Sequence, residues 1–309
     1  MKTRAVLRTL SAALALGALA GLAWADEISD AFDALKKAQE AKNAADVKKW
    51  AEETSKLARA EAAKPQPDDA SQVDYWKSRV DYAKQTDTYT EYALAATAML
   101  PGVAPADVVA LVDQLLKQNP KSSYLSMAAS TYVGALSKAG TAKQLEGAGK
   151  ILEAVPDSED ALLAMADGSM TAKRNEQAYN YATRLVSTLS KKAKPEGMSA
   201  ADWNTKKSQL TARGYYIAGV ASCLREIWVD CDKQLRSAEP LVKGQPGLAQ
   251  PTYFYLGTAN YQISRVSNSR QKLQEAIKFT QQAADMAGPM QDQARRNVYA
   301  MQQELPSRR

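Results

Sequence analysis

The stretch "YFYLGTANY", residues 253–261, decides how the chain is read. Three adjacent aromatics precede a Leu-Gly pair, and a fourth aromatic closes the run. A strand, an aromatic ligand box and one copy of a repeat would each require different company elsewhere in the chain. The company of a repeat is present. Tyr215-Ala218-Gly219, Leu162-Met165-Ala166, Tyr124-Met127-Ala128 and Tyr92-Ala95-Ala96 share the spacing of Tyr253-Leu256-Gly257. In each, an aromatic or Leu is followed at helical spacing by an apolar residue and then a small one.

A second helical stripe follows each copy. Twelve residues after the small residue, Ala96 leads to Val108, Ala166 to Ala178 and Gly219 to Cys231. Those stripes continue through Val112 and Leu115, Ala182 and Leu185, and Leu235 and Ala238. Longer turns separate Ala128 from Gln144 and Gly257 from Ala276, and Pro120, Pro156 and Pro289 punctuate the ends. This pattern resembles the tetratricopeptide repeat family, whose signature is W-x2-L-G-x2-Y, then A-x3-F, then P, with a period of about 34 residues. The resemblance covers residues 89–289, and "YFYLGTANY" followed by "EAIKFTQQAADMAGP" is its fullest copy. The copies begin at 92, 124, 162, 215 and 253. The widest interval holds "KKAKPEGMSAADWNTKKSQL", read as an insertion whose second half, from Ser199, lengthens the next helix.

The resemblance implies an all-α, tetratricopeptide-like α-solenoid of antiparallel helix pairs, with small residues where helices cross. It also implies a concave groove lined by residues one, five and eight positions after the start of each copy. Tyr132, Asp167, Tyr216, Phe254 and Tyr261 are its peptide-groove candidates. The competing reading of each is packing against the adjacent repeat. Basic residues laid out to clamp a terminal carboxylate are missing.

Composition agrees with the fold class. Ala, Lys, Gln, Glu and Leu dominate, and β-branched alternation is scarce. Residues 26–62 read as a helical hairpin broken at Asn43, and 63–71, "AKPQPDDAS", as a polar linker in which Asp69 or Ser71 caps the next helix. About five repeats then fill 72–289. Residues 290–309 read as a capping helix and tail, with Ala294, Val298, Met301 and Leu305 on one stripe.

The first 25 residues have the parts of a secretory signal peptide: Lys2, Arg4 and Arg8, an apolar run, then Ala23-Trp24-Ala25. Removing them takes away three of the 40 basic residues and leaves 37 against 34 acidic ones, a net charge of +3. So even a balance gives nucleic-acid binding no electrostatic footing. No later stretch is apolar enough to span a membrane, so the expected place is the periplasm or the exterior.

Histidine is absent from the whole sequence. That removes the commonest general base and metal ligand, and every Ser-His or Cys-His pairing. Ser269-x-x-Lys272 stands without the other motifs of a serine-lysine hydrolase. Cys223 and Cys231 are too few for a structural zinc site. In an oxidising compartment they form a disulfide, or else they are two small buried thiols at a tight crossing. The expectation is a non-enzymatic scaffold without cofactor or metal, binding a protein or peptide partner. The rivals are a small-molecule or glycan binder of the envelope and an accessory domain of a hydrolase.

Overall fold

Periodic runs of good helix formers let the backbone satisfy its hydrogen bonds locally. The computed structural model describes residues 27–195 and 198–305. Among them are thirteen α-helices, one 3-10 turn and no strand. The signal peptide expected at 1–25 lies outside the described residues, as does the tail after residue 305. The chain divides into two compact units. One holds the described residues through Tyr124 and those of Lys194–Ala200, and the other holds the rest. The division at Tyr124 falls inside the stretch 72–289 assigned to repeats.

In the first unit, α1 (Glu27–Glu40) packs on α2 (Ala44–Ala62). Asn43 separates them, and its side chain accepts a hydrogen bond from the Asp46 N–H at 3.2 Å, capping α2. Ile28, Phe32 and Leu35 of α1 and Val47 and Ala51 of α2 are buried. A 3-10 turn over Ala70–Gln72 follows, with Asp69 accepting from the Ser71 N–H at 2.9 Å. Then come α3 (Val73–Ala98) and α4 (Pro105–Gln118). Trp76 donates its indole N–H to the Lys64 carbonyl at 3.0 Å, which ties α3 to the linker. Helix α3 packs on α2 and α4, and α2 also touches α4.

The second unit runs through α5 (Leu125–Lys138), α6 (Thr141–Ala154), α7 (Glu159–Thr171), α8 (Asn175–Lys191) and α9 (Ala200–Leu224). It continues through α10 (Trp228–Val242), α11 (Pro246–Ser267), α12 (Arg270–Asp285) and α13 (Gln291–Glu304). Packing is sequential: α5 on α6, α6 on α7, α7 on α8, α10 on α11, α11 on α12 and α12 on α13. Helix α5 also touches α7. Helix α9 joins α8 and α10 through small residues, because Gly214 faces Val186 and Gly219 faces Leu235.

"YFYLGTANY" is therefore helical, in the middle of α11. Tyr253, Leu256 and Asn260 point into the core. Gly257 lies so close to Thr280 of α12 that a Cβ there would fall 3.0 Å from the Thr280 backbone nitrogen. Glycine lets the two backbones approach, and the large neighbours fill the space around the crossing. The same device recurs away from the repeat positions, with Gly147 of α6 under the Tyr132 ring and Gly168 of α7 under Leu145.

Candidate docking face

The residues expected in a groove have three different fates. Tyr132 is only 1% exposed. The absence of a side chain on Gly147 lets its ring sink against α6. Tyr132 is thus part of the core and is not available to a ligand. Tyr261 is half-buried, and its hydroxyl donates to Glu304 Oε1 of α13 at 2.6 Å. It packs with Leu273, Ala276 and Met301, so the final helix covers it.

Asp167, Tyr216 and Phe254 remain partly open, on α7, α9 and α11 respectively. Helical spacing places Leu163 and Met170 on the same face of α7 as Asp167, and both are also half-buried. Tyr216 packs on a core shared with Leu163 and Met170, and on the neighbouring core shared with Phe254 and Tyr255. Phe254 and Tyr255 meet edge to face with ring centroids 5.6 Å apart.

Arg213 joins α9 to α7. It is one turn before Tyr216 on α9, and its guanidinium lies 5.5 Å from the Tyr216 ring centre. It donates to Asp167 Oδ1 from Nε at 3.1 Å and from Nη2 at 2.6 Å. The two side chains keep 37% and 38% of their surface exposed, Asp167 and Arg213 respectively. Burial pushes the Tyr216 hydroxyl above its ordinary value, against the opposing pull of the Arg213 charge. The phenol is accordingly a neutral donor and acceptor at physiological pH.

The groove spacing includes Asp167, Tyr216 and Phe254 and passes over Arg213. The groove register picks one stripe per helix, and Arg213 lies on its edge. The visible signal was its position three residues before a groove aromatic.

Cys223 and Cys231 are joined in a disulfide with Cα atoms 5.1 Å apart, linking the end of α9 to the start of α10. Both are buried, and Cys223 Sγ lies 3.7 Å from the Tyr255 carbonyl of α11. The bond ties α9 to α10, two turns along from Tyr216.

Elsewhere in the chain, the first unit has an open hollow of ≈ 740 Å³ between α2 and α4, lined by Lys48, Trp50, Glu53 and Asp107 among others. The Lys49 ammonium already covers the Trp50 ring at 4.6 Å. Among the described residues, no cluster of three or more His, Cys, Asp or Glu is arranged to hold a metal ion. No described helix is long and apolar enough to cross a membrane.

Asp167, Arg213, Tyr216 and Phe254 thus bring an acceptor, a donor, an amphipathic ring and an apolar side chain to α7, α9 and α11. No protein-family model matches the chain, and no curated protein matches it significantly.

Proposed function

We propose that the chain is an exported, non-enzymatic scaffold whose helices α5–α12 form tetratricopeptide-like pairs, closed by α13. The first helices of successive pairs dock a protein or peptide partner. The observation that carries this reading is the partly exposed row Asp167, Arg213, Tyr216 and Phe254 on α7, α9 and α11. Aromatic and Arg side chains held in place by neighbours supply much of the energy at protein interfaces. The small residues at the helix crossings support the repeat assignment, and the signal-like first 25 residues support export.

The double variant Tyr216→Ala, Phe254→Ala tests the reading. Chemical crosslinking in the native envelope should trap a defined partner with the parent protein and lose it with the variant. Hot-spot truncations each cost about 2 kcal/mol or more, enough together to weaken binding at least about a hundredfold. An unchanged crosslinking pattern with a folded variant would place docking elsewhere.

A further inference from the structure

We propose that one end of the second unit is an attachment edge for an anionic lipid bilayer, where apolar turn residues enter the interface and neighbouring cations meet the headgroups. The edge is separate from Asp167, Tyr216 and Phe254, and it stands whether or not those residues dock a partner.

Three turns form the edge: the α7–α8, α9–α10 and α11–α12 connections. They share one tight geometry. Lys173, Glu226 and Asn268 are left-handed, with φ of 57°, 59° and 51°. The N–H groups of Arg174, Ile227 and Ser269 donate to the carbonyls of Ser169, Ser222 and Ser264 at 2.8, 2.9 and 3.2 Å, the closing bond of a helix-ending turn. Side-chain contacts gather the three turns. The Arg225 guanidinium lies 5.5 Å from the ring centre of Tyr179, near the start of α8. Asn260, toward the end of α11, donates to Asp232 of α10 at 2.6 Å and accepts from Lys272 of α12 at 3.0 Å. The Cys223–Cys231 disulfide closes the middle turn.

Two observations at this edge point to a lipid surface. The first is apolar exposure. Among the described residues of the second unit, five large hydrophobic side chains are exposed, and four of them are here: Leu224, Ile227, Val229 and Val266. The closed turns fix the backbone beneath them, so insertion orders little new chain. The second is charge. Lys173, Arg174, Arg265 and Arg270 are exposed on the same turns, against the exposed carboxylates of Glu176 and Glu226. Among the described residues, none of those four cations is ion-paired. Asp230 is held by the Ser222 hydroxyl at 2.6 Å. Apolar tips set among cations match the acyl boundary and anionic headgroups of a bilayer. A second copy of the chain would instead set cation against cation, which opposes self-association through this edge.

Co-sedimentation with vesicles tests this, using phosphatidylcholine alone and phosphatidylcholine mixed with phosphatidylglycerol. The chain starts at Asp26, which leaves every described helix in place and removes the apolar run of residues 1–25, itself a ligand for lipid. The parent protein should bind the anionic vesicles more tightly than the neutral ones and lose most of that preference at high salt. Val229→Ser with Val266→Ser should weaken binding about tenfold. These side chains are 72% and 88% exposed, so the core is untouched. Arg265→Gln with Arg270→Gln should weaken it about twentyfold, since each cation near an anionic surface contributes about fivefold. Lys191→Gln with Lys243→Gln removes the same charge from the far ends of α8 and α10 and should leave binding within about twofold of the parent. Thermal melts establish that each variant is folded. Absence of vesicle binding, equal binding to neutral and anionic vesicles, or equal loss in the Arg265/Arg270 and Lys191/Lys243 variants would overturn the proposal. So would full binding by the Val229/Val266 variant.

Discussion

Gly219 shows how much of this fold rests on single atoms. A Cβ at that position would lie 2.4 Å from Leu235 Cγ and 3.2 Å from the Leu235 backbone nitrogen. Leu235 is fully buried and has no room to yield. Gly219→Ala should therefore cost about 1–3 kcal/mol through overpacking. Gly149, in the helical interior of α6, has nothing within 4 Å of the same construction. Gly149→Ala should gain about 0.4–1 kcal/mol by restricting the unfolded chain. Urea denaturation of the two variants reads both signs in one experiment. Charge matters at Glu159, which is 7% exposed. Burial alone would raise its carboxyl, but hydrogen bonds from Lys192, the backbone and Lys206 outweigh it and hold the group below its ordinary value of 4.5. A depressed folded-state value stabilises the protein above the ordinary carboxylate range, and that contribution is lost as pH falls through the folded value. Glu159→Gln should thus be less stable than the parent at about pH 7, and the gap should close toward about pH 3. A gap that stays constant across the range would mean that the ion pairs contribute nothing.

The helices bring a different kind of test, because each depends on its neighbour. Helix α13 buries Ala294, Val298 and Met301, and Met301 packs with Leu273 and Ala276 of α12. Truncation after Pro289 should expose that apolar surface, lower hydrogen-exchange protection across Arg270–Asp285 and promote aggregation. Full protection in the truncated protein would make α13 an appendage. The helices themselves were legible in the sequence because their stripes are local: Ala182 and Leu185, or Leu235 and Ala238, are buried as their spacing requires. Crossing glycines at repeat positions, Gly219 and Gly257, were legible for the same reason. What happens between distant helices was not. Tyr132 carries the groove spacing, yet its fate is set by Gly147, a residue of the next helix that the repeat pattern does not single out. Tyr261 carries it too, but α13 lies over it. The Asp167–Arg213 pair spans 46 residues and the insertion within them, so no fixed period relates its members.

For the molecule as a whole, both units follow one rule: helices pack on their neighbours in sequence, and small residues set how closely they approach. The uneven spacing of the sequence copies has a physical counterpart in the 25 residues of α9, against 13 in α7. Its extra length carries Lys206, which donates to Glu159 at 3.0 Å and to Asp160 at 2.8 Å. The insertion thereby pins α9 along α7 and holds Arg213 and Tyr216 beside Asp167. In the proposed reading the partly exposed Asp167, Arg213, Tyr216 and Phe254 dock the partner, and charge pairs bind α7 to α9. We propose that a partner docks there. Site-specific photocrosslinking in the native cells tests it directly, with a photoreactive phenylalanine placed in turn at Tyr216, Phe254, Tyr75 and Tyr299. Tyr75 and Tyr299 are 60% and 68% exposed and serve as open controls on helices other than α7, α9 and α11. One defined adduct from positions 216 and 254, and none from 75 and 299, is the expected result. Adducts confined to the control positions, or equal at all four, would contradict it.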